Sequence, residues 1–284
     1  MTTPTHDLID KLNQLLPRIP AKPDFASVKA MRWSRRPTLL GHVSYLEAVT
    51  QFAEIHFSDL QHIDRQRQLV EQNTRQFLSR KPANNVLMTG ARGTGKSSLV
   101  RACLTEFHGQ GLRVIEVEKQ DLMDLPRLVE AVADAPYRFI IFCDDLSFES
   151  GDAGYKALKS VLDGSVSAQS DNLLIYATSN RRHLMPEHMS ENLETRYEAT
   201  GEIHPGETVE EKISLSERFG LWVSFYSFSQ QDYLDIVAHW LKHYGCAAAL
   251  IQEARQPALQ WALERGSRSG RVALHFARDW AGRH

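Results

Sequence analysis

The sequence is poor in cysteine, lacks long apolar runs and carries no excess charge of one sign. Its 284 residues include three cysteines, Cys103, Cys143 and Cys246. Their odd number and wide spacing argue against a disulfide framework and point to buried thiols in a reducing cytoplasm. The same spacing gives no support to a cysteine metal site. No apolar stretch approaches the length needed to span a bilayer, and the segment from Met1 to Asp7 lacks the basic start and apolar core of a secretory leader. With 33 Lys+Arg against 35 Asp+Glu the formal net charge is −2, so the surface as a whole is not built for nucleic acid or membrane. Internal repeats and low-complexity segments are absent from the sequence. What remains is 42% hydrophobic residues, enough core for one large domain or two modest ones.

Within that chain, Gly90-Ala91-Arg92-Gly93-Thr94-Gly95-Lys96-Ser97 reads G-x-x-x-x-G-K-S, the pattern of a phosphate-binding loop. The apolar run Asn85–Thr89 before it suits a buried parallel strand, and the apolar spacing from Ser97 and Ser98 to Leu104 suits a helix. Glycines let backbone N–H groups turn inward around phosphate oxygens, and the helix start adds its positive dipole end. Lys96 is placed to neutralise phosphate charge, and the Ser97 hydroxyl to ligate Mg²⁺.

Four further elements follow in order. The apolar strand Arg138–Cys143 ends in Asp144-Asp145. Asp144 is expected to hold Mg²⁺, and Asp145 to orient or deprotonate an attacking water, with Glu149 a weaker candidate base. Leu173–Asn180 is a strand whose tip residue, Asn180, could hold that water through its amide, although an Asn at a strand end is commonly a turn former. Arg218, in Ser216-Glu217-Arg218-Phe219-Gly220, could reach the γ-phosphate of a neighbouring subunit or form an ordinary surface ion pair. Arg271, in Ser269-Gly270-Arg271, opens the last helix and could swing it onto the phosphates.

The surrounding pattern places these motifs. Residues 1–40 read as a lead-in with a short amphipathic segment (Leu8–Leu16), several prolines, and the basic run Arg32-Trp33-Ser34-Arg35-Arg36. That run either folds back on the core with Trp33 buried or holds nucleic acid, the basic residues on phosphates and Trp33 on a base. Residues 42–80 read as two helices meeting near His62-Ile63-Asp64, with Asp64 as N-cap of the second. From Asn85 to Phe228, strands at 85–89, 113–117, 138–143, 173–177 and 221–225 alternate with helices at 97–107, 125–134 and 153–162, which argues for a parallel α/β sheet. Helices at 230–243, 247–265 and 270–281 then form a lid, with Pro257 breaking or starting one. The Glu-rich stretch from Glu191 to Glu217 is either a solvated face or a contact surface.

In this order the motifs resemble AAA+ ATPases. More narrowly, Pro82–Val100, Cys143–Glu149, Tyr155–Leu162, Asn73-Thr74 and Phe77-Leu78 resemble one bacterial AAA+ family known as a domain of unknown function. The resemblance spans residues 40–282. It implies a five-stranded parallel core at 41–228, a helical lid at 229–284, and ATP bound between them at a subunit interface of a homo-oligomer. It further implies Asn180 as first sensor, Arg218 as a finger acting in trans, Arg271 as second sensor and Ile63 beside the adenine. Asp145 stands where most AAA+ proteins have Glu. The expected function is Mg²⁺-dependent ATP hydrolysis coupled to remodelling or loading a partner protein or nucleic acid, in the cytoplasm and away from membranes. Two alternatives stand beside it: a nucleotide-gated binding module that hydrolyses slowly, and a nucleic-acid-associated loader or helper ATPase.

Overall fold

Successive side chains of the central strands enter two different buried layers, and that alternation divides the core in two. In the computed structural model, which describes residues 20–38, 41–148, 152–163, 171–180, 196–197, 203–204 and 215–284, seven strands form the main sheet. They are β1 (Ala30–Thr38), β2 (Gly41–Val49), β3 (Val86–Gly90), β4 (Leu112–Glu116), β5 (Arg138–Cys143), β6 (Leu173–Ser179) and, after a small antiparallel ribbon of β7 (Arg196–Tyr197) and β8 (Ile203–His204), β9 (Leu221–Phe225). Their order is β2-β1-β4-β5-β6-β3-β9. All neighbours run parallel except the β1–β2 hairpin.

Ile140 and Phe142 of β5 face one layer, while Phe139, Ile141 and Cys143 face the other. Burial on both faces explains the unbroken apolar runs, because a parallel strand covered by helices on each side has no solvent face. The first layer holds α1 (Asp64–Leu78), α2 (Lys96–Phe107) and the C-terminal helices α5 (Gln230–His243), α6 (Ala248–Glu253), α7 (Arg255–Glu264) and α8 (Gly270–Arg283). The second holds α3 (Leu125–Val132) and α4 (Ala153–Leu162). Ser229 caps α5 in a reciprocal capping box with Asp232. Pro257 falls in the first turn of α7, where its missing N–H costs no intrahelical bond. Among the described residues no helix is long and apolar enough to cross a membrane.

All five expected strands are present, but the sheet has seven. Residues 41–49 are a strand and not part of a helix, and residues 30–38 of the lead-in are its antiparallel partner. Cross-strand packing overrides the local periodicity: Trp33 lies opposite Leu46, and Met31, Trp33 and Leu46 are all buried in the second layer. The basic run therefore folds back on the core. Trp33 is 5% exposed and its Nε1 donates to Asp124 Oδ2 at 3.4 Å. Arg32 pairs with Glu116 at 3.0 Å, and the Arg36 guanidinium sits over the Tyr45 ring. Asp64 is the first residue of α1, and Ile63 occupies the cap position expected of it. Segment Leu8–Leu16, Glu149 and the glutamates from Glu191 to Glu211 lie outside the described residues.

A buried polar network fixes the entry to β3. Asn73 Nδ2 donates to Asn84 O at 2.9 Å and to Tyr176 Oη at 3.1 Å, while Asn84 N–H donates to Asn73 Oδ1 at 3.0 Å. Thr74 Oγ1 and Tyr176 Oη are hydrogen-bonded at 2.9 Å. The network joins α1, the segment before β3 and the middle of β6. Burial pushes the Tyr176 phenol upward, so it stays a neutral partner. Asn73→Ala would remove both bonds to the Asn84 backbone and the one to the buried Tyr176 hydroxyl, and it is expected to lower unfolding free energy by about 1–3 kcal/mol. Urea denaturation of the folded variant measures this, and a loss too small to detect would show that the network is dispensable.

Candidate phosphate-binding site

The strand β3 ends at Gly90, and the chain turns through a tight loop before α2 begins at Lys96. Two neighbours wall this loop. A β-carbon on Gly90 (φ +127°) would lie 1.9 Å from the Phe225 carbonyl oxygen, so β9 closes one side. A β-carbon on Gly93 (φ +72°) would lie 2.8 Å from Ser269 Oγ, so the start of α8 closes another. Gly270 N–H donates to Gly93 O at 2.8 Å, and Thr94 Oγ1 donates to Ala91 O at 2.8 Å. Ile63 Cδ1 approaches Gly95 to within 3.2 Å of where its β-carbon would stand. Ser98 is half-buried in the first turn of α2.

Lys96 is buried. Its ammonium donates to Gly90 O at 2.7 Å, Ala91 O at 2.8 Å and Asn180 Oδ1 at 3.1 Å. Burial pushes its pKa below the ordinary lysine value. Asp144 and Asp145 oppose that shift, and Arg92 and Arg271 add to it. Two cationic guanidinium groups and two carboxylates therefore lie within electrostatic reach of one ammonium.

The carboxylates stand at the end of β5, beside the end of β6. Asp144 Oδ1 accepts from Ser97 Oγ at 2.7 Å and from Thr178 Oγ1 at 2.6 Å. Thr178 Oγ1 in turn accepts the Asp145 N–H at 2.9 Å. Asp145 takes a left-handed backbone (φ 53°), a conformation Asp tolerates better than most residues. Its Oδ1 accepts from Asn180 Nδ2, and Arg92 Nη2 stands 4.0 Å from its Oδ2. A chain of contacts thus runs Lys96–Asn180–Asp145. A cleft of about 390 Å³ opens beside it, lined by Arg92, Asp145, Leu146, Ser147, Ser179 and Asn180. A second cleft of about 430 Å³ lies under the β1–β2 hairpin, lined by Arg35, His42, Ser44, Met123, Asp124 and Arg127. It shares none of these groups.

The structure therefore gathers Gly90–Ser97, Asp144, Asp145, Asn180 and Arg271, with Ile63 against Gly95. It does not bring Arg218 to them. Arg218 precedes β9, whose five residues separate it from the loop end of the sheet by ~17 Å at the usual strand rise. There it pairs with Asp163 at the end of α4. Thr178 is the residue that motif reading passed over. Its role follows from register, because Cys143 pairs with Ala177, which sets Asp144 level with Thr178. The Ser97 hydroxyl and the Asp144 carboxylate form a compact pair of hard oxygen donors, a set that suits Mg²⁺.

The family described as "protein of unknown function (DUF815)" matches residues 26–284. No curated protein matches the chain. Among solved structures, the ORC1 protein of Aeropyrum pernix in complex with DNA is 16% identical over 76% of this chain and 58% of that one, with a TM-score of 0.50. A point mutant of Thermotoga maritima RuvB is 12% identical over 78% of this chain and 63% of its own, with a TM-score of 0.49. A chain of the HORMA:CdnC:Trip13 complex of E. coli MS115-1 is 11% identical over 78% and 89%, also at 0.49. This chain thus spans less than two thirds of the ORC1 and RuvB chains. The likeness to ORC1 is one of fold: a mostly parallel sheet covered by helices on both faces.

The site is closed from behind by Cys143, immediately before Asp144. Burial pushes the thiols of Cys143 and Cys103 up to about 12, while Cys246 is half-buried. Titration of the folded protein with an aromatic disulfide at pH 8 is expected to modify Cys246 alone, and denaturant to release all three thiols. Rapid modification of Cys143 in the folded protein would contradict this packing.

Proposed function

The chain belongs to the DUF815 family of proteins of unknown function, and from its loop geometry we propose that it is a Mg²⁺-dependent ATPase of the AAA+ class, acting as an oligomer that remodels or loads a partner. One observation carries the reading. The Lys96 ammonium is held 2.7–3.1 Å from two loop carbonyls and Asn180, beside a Ser97–Asp144 contact at 2.7 Å. A triphosphate in the Gly90–Ser97 cradle would draw Lys96 from those carbonyls onto its own oxygens, where backbone N–H groups and the start of α2 already favour negative charge. Ser97 and Asp144 would hold Mg²⁺, which when bound neutralises phosphate charge.

Asp145 and Asn180, hydrogen-bonded to each other, are the pair suited to orient and deprotonate the attacking water. Residues 229–284 act as the lid subdomain in this reading, on the sheet domain of 41–228. Its contact with the loop runs through Gly270 and Gly93, which holds Arg271 within reach of the phosphates as second sensor. Arg218 lies at the far end of the sheet, so it acts on a neighbouring subunit's γ-phosphate after leaving Asp163. The adenine rests against Ile63.

The short, left-handed Asp145 favours a second reading, a nucleotide-gated binding module with slow hydrolysis, because its carboxylate is already engaged by Asn180. A nucleic-acid-handling role gains nothing from Trp33, whose ring is buried and so withdrawn from base stacking.

Turnover with Mg²⁺ tests the proposal. Lys96→Ala and Asp145→Asn are each expected to lower the rate at least ~100-fold, with Asp145→Asn still binding nucleotide. Arg218→Ala should cost ~10³-fold, the order of an arginine finger, and mixing it with Lys96→Ala subunits should restore part of the rate. Wild-type single-turnover hydrolysis no faster than the spontaneous reaction would favour the slow module. Normal turnover by Arg218→Ala would end the finger assignment.

A further inference from the structure

Polar contacts, besides apolar packing, hold the C-terminal helices to the wall of the phosphate loop. His62 directly precedes Ile63, the residue packed on Gly95. Its Nδ1 lies 3.2 Å from Asp232 Oδ1 and its Nε2 lies 3.4 Å from Asp235 Oδ2. Each ring nitrogen faces one carboxylate. Asp232 and Asp235 lie three residues apart and so share one face of α5. His239, one turn further along, stands 3.9 Å from Asp59 of the short turn at 57–59. The stripe Asp232, Asp235, His239 therefore runs against the segment from Asp59 to His62. The other charged or titratable groups at this junction are Lys242 and His243 on α5 and Asp64, Arg65 and Arg67 on α1.

Two features set His62 apart from a surface ion pair. Its backbone is left-handed at φ 60°, a conformation uncommon for any residue with a side chain. The helix that follows the turn is itself anchored: Arg67 N–H bonds to Ile63 O at 2.8 Å, and Gln66 Nε2 to Ser224 O at 3.0 Å, the latter joining α1 to β9.

We infer that His62 is a positioning residue that locks α5 to the Ile63 wall, so that an occupant resting against Ile63 sets the position of the C-terminal helices. The inference rests on the proposed nucleotide site for the identity of that occupant, a nucleotide base. The bridge itself exists without it. A base pressing on Ile63 moves His62, and His62 carries Asp232 and Asp235 with it. The helices that bring Arg271 to the loop then respond to the base and not only to the phosphates.

Three variants separate the causes. His62→Gly keeps the left-handed backbone and removes the ring. His62→Asn tolerates the same backbone and keeps one donor. Asp235→Asn weakens the other partner while leaving Asp232 to its cap on Ser229. The first measurement is hydrogen exchange on nucleotide-free protein. Amides of residues 230–236 are expected to exchange about tenfold faster in His62→Gly and by an intermediate amount in His62→Asn, with the sheet unchanged. Wild-type exchange in His62→Gly would overturn the bridge.

The second measurement is affinity for a fluorescent ADP analogue. His62→Gly and Asp235→Asn should each bind about 5–10-fold more weakly, and the double variant no more weakly than either alone. Factors that multiply in the double variant, or unchanged affinity in His62→Gly, would overturn the coupling. Failure of the wild type to bind nucleotide would instead remove the proposed occupant, and with it the coupling, while hydrogen exchange would still decide whether the bridge holds.

Discussion

Parallel register is what brings the chemistry together. Thr89 of β3 pairs with Ser179 of β6, and Cys143 of β5 pairs with Ala177 of β6. Three neighbouring strands therefore finish level, and the residues that leave them meet at one edge. Thr178 is the pivot of that edge: its hydroxyl donates to Asp144 and accepts from the backbone of Asp145. A slip of one residue between β5 and β6 would turn Asp144 to the opposite face and break the contact with Ser97. The turn after β5 is held against such slippage by Leu146 N–H on Thr178 O and by Ser179 Oγ on Leu146 O, both at 2.7 Å.

The two ends of the sheet carry different parts of the proposed machinery. Gly90, Asp144 and Asn180 follow strands, while Arg218 precedes one. In a parallel sheet those positions lie on different edges, so one subunit cannot hold all of them around a single ligand. The Arg218–Asp163 pair keeps the guanidinium neutralised within its own chain.

Much of this was legible because both-face burial writes long apolar runs. Strands β3, β4, β5, β6 and β9 and the helices from α2 onward fall within a few residues of their sequence-based positions. The β1–β2 hairpin was not legible. Its strands sit at the sheet margin, carry Arg32, Arg35, Arg36 and Pro37 in one and Glu47 in the other, and gain their burial only when Trp33 meets Leu46. Edge strands are charged and interrupted for good physical reasons, and those features mask their period. Thr178 and His62 escaped for a related reason: each acts through a partner distant in sequence, Asp144 in one case and the α5 aspartates in the other. Asn73, Thr74 and Asn84 were noticed only as part of a resemblance. Their hydrogen bonds give that resemblance a structural cause, because together with Tyr176 they pin the chain where β3 begins.

The contact between Gly90 and the Phe225 carbonyl has a consequence for reading descendants of this sequence. With an oxygen 1.9 Å from the place of a β-carbon, any alternative at position 90 would force the two backbones apart. Crowding of main chain against main chain thus demands glycine there whatever the loop binds. A lineage whose loop bound nothing, yet that preserved this architecture, would go on displaying the first glycine of the pattern, as a fossil of packing and not of chemistry.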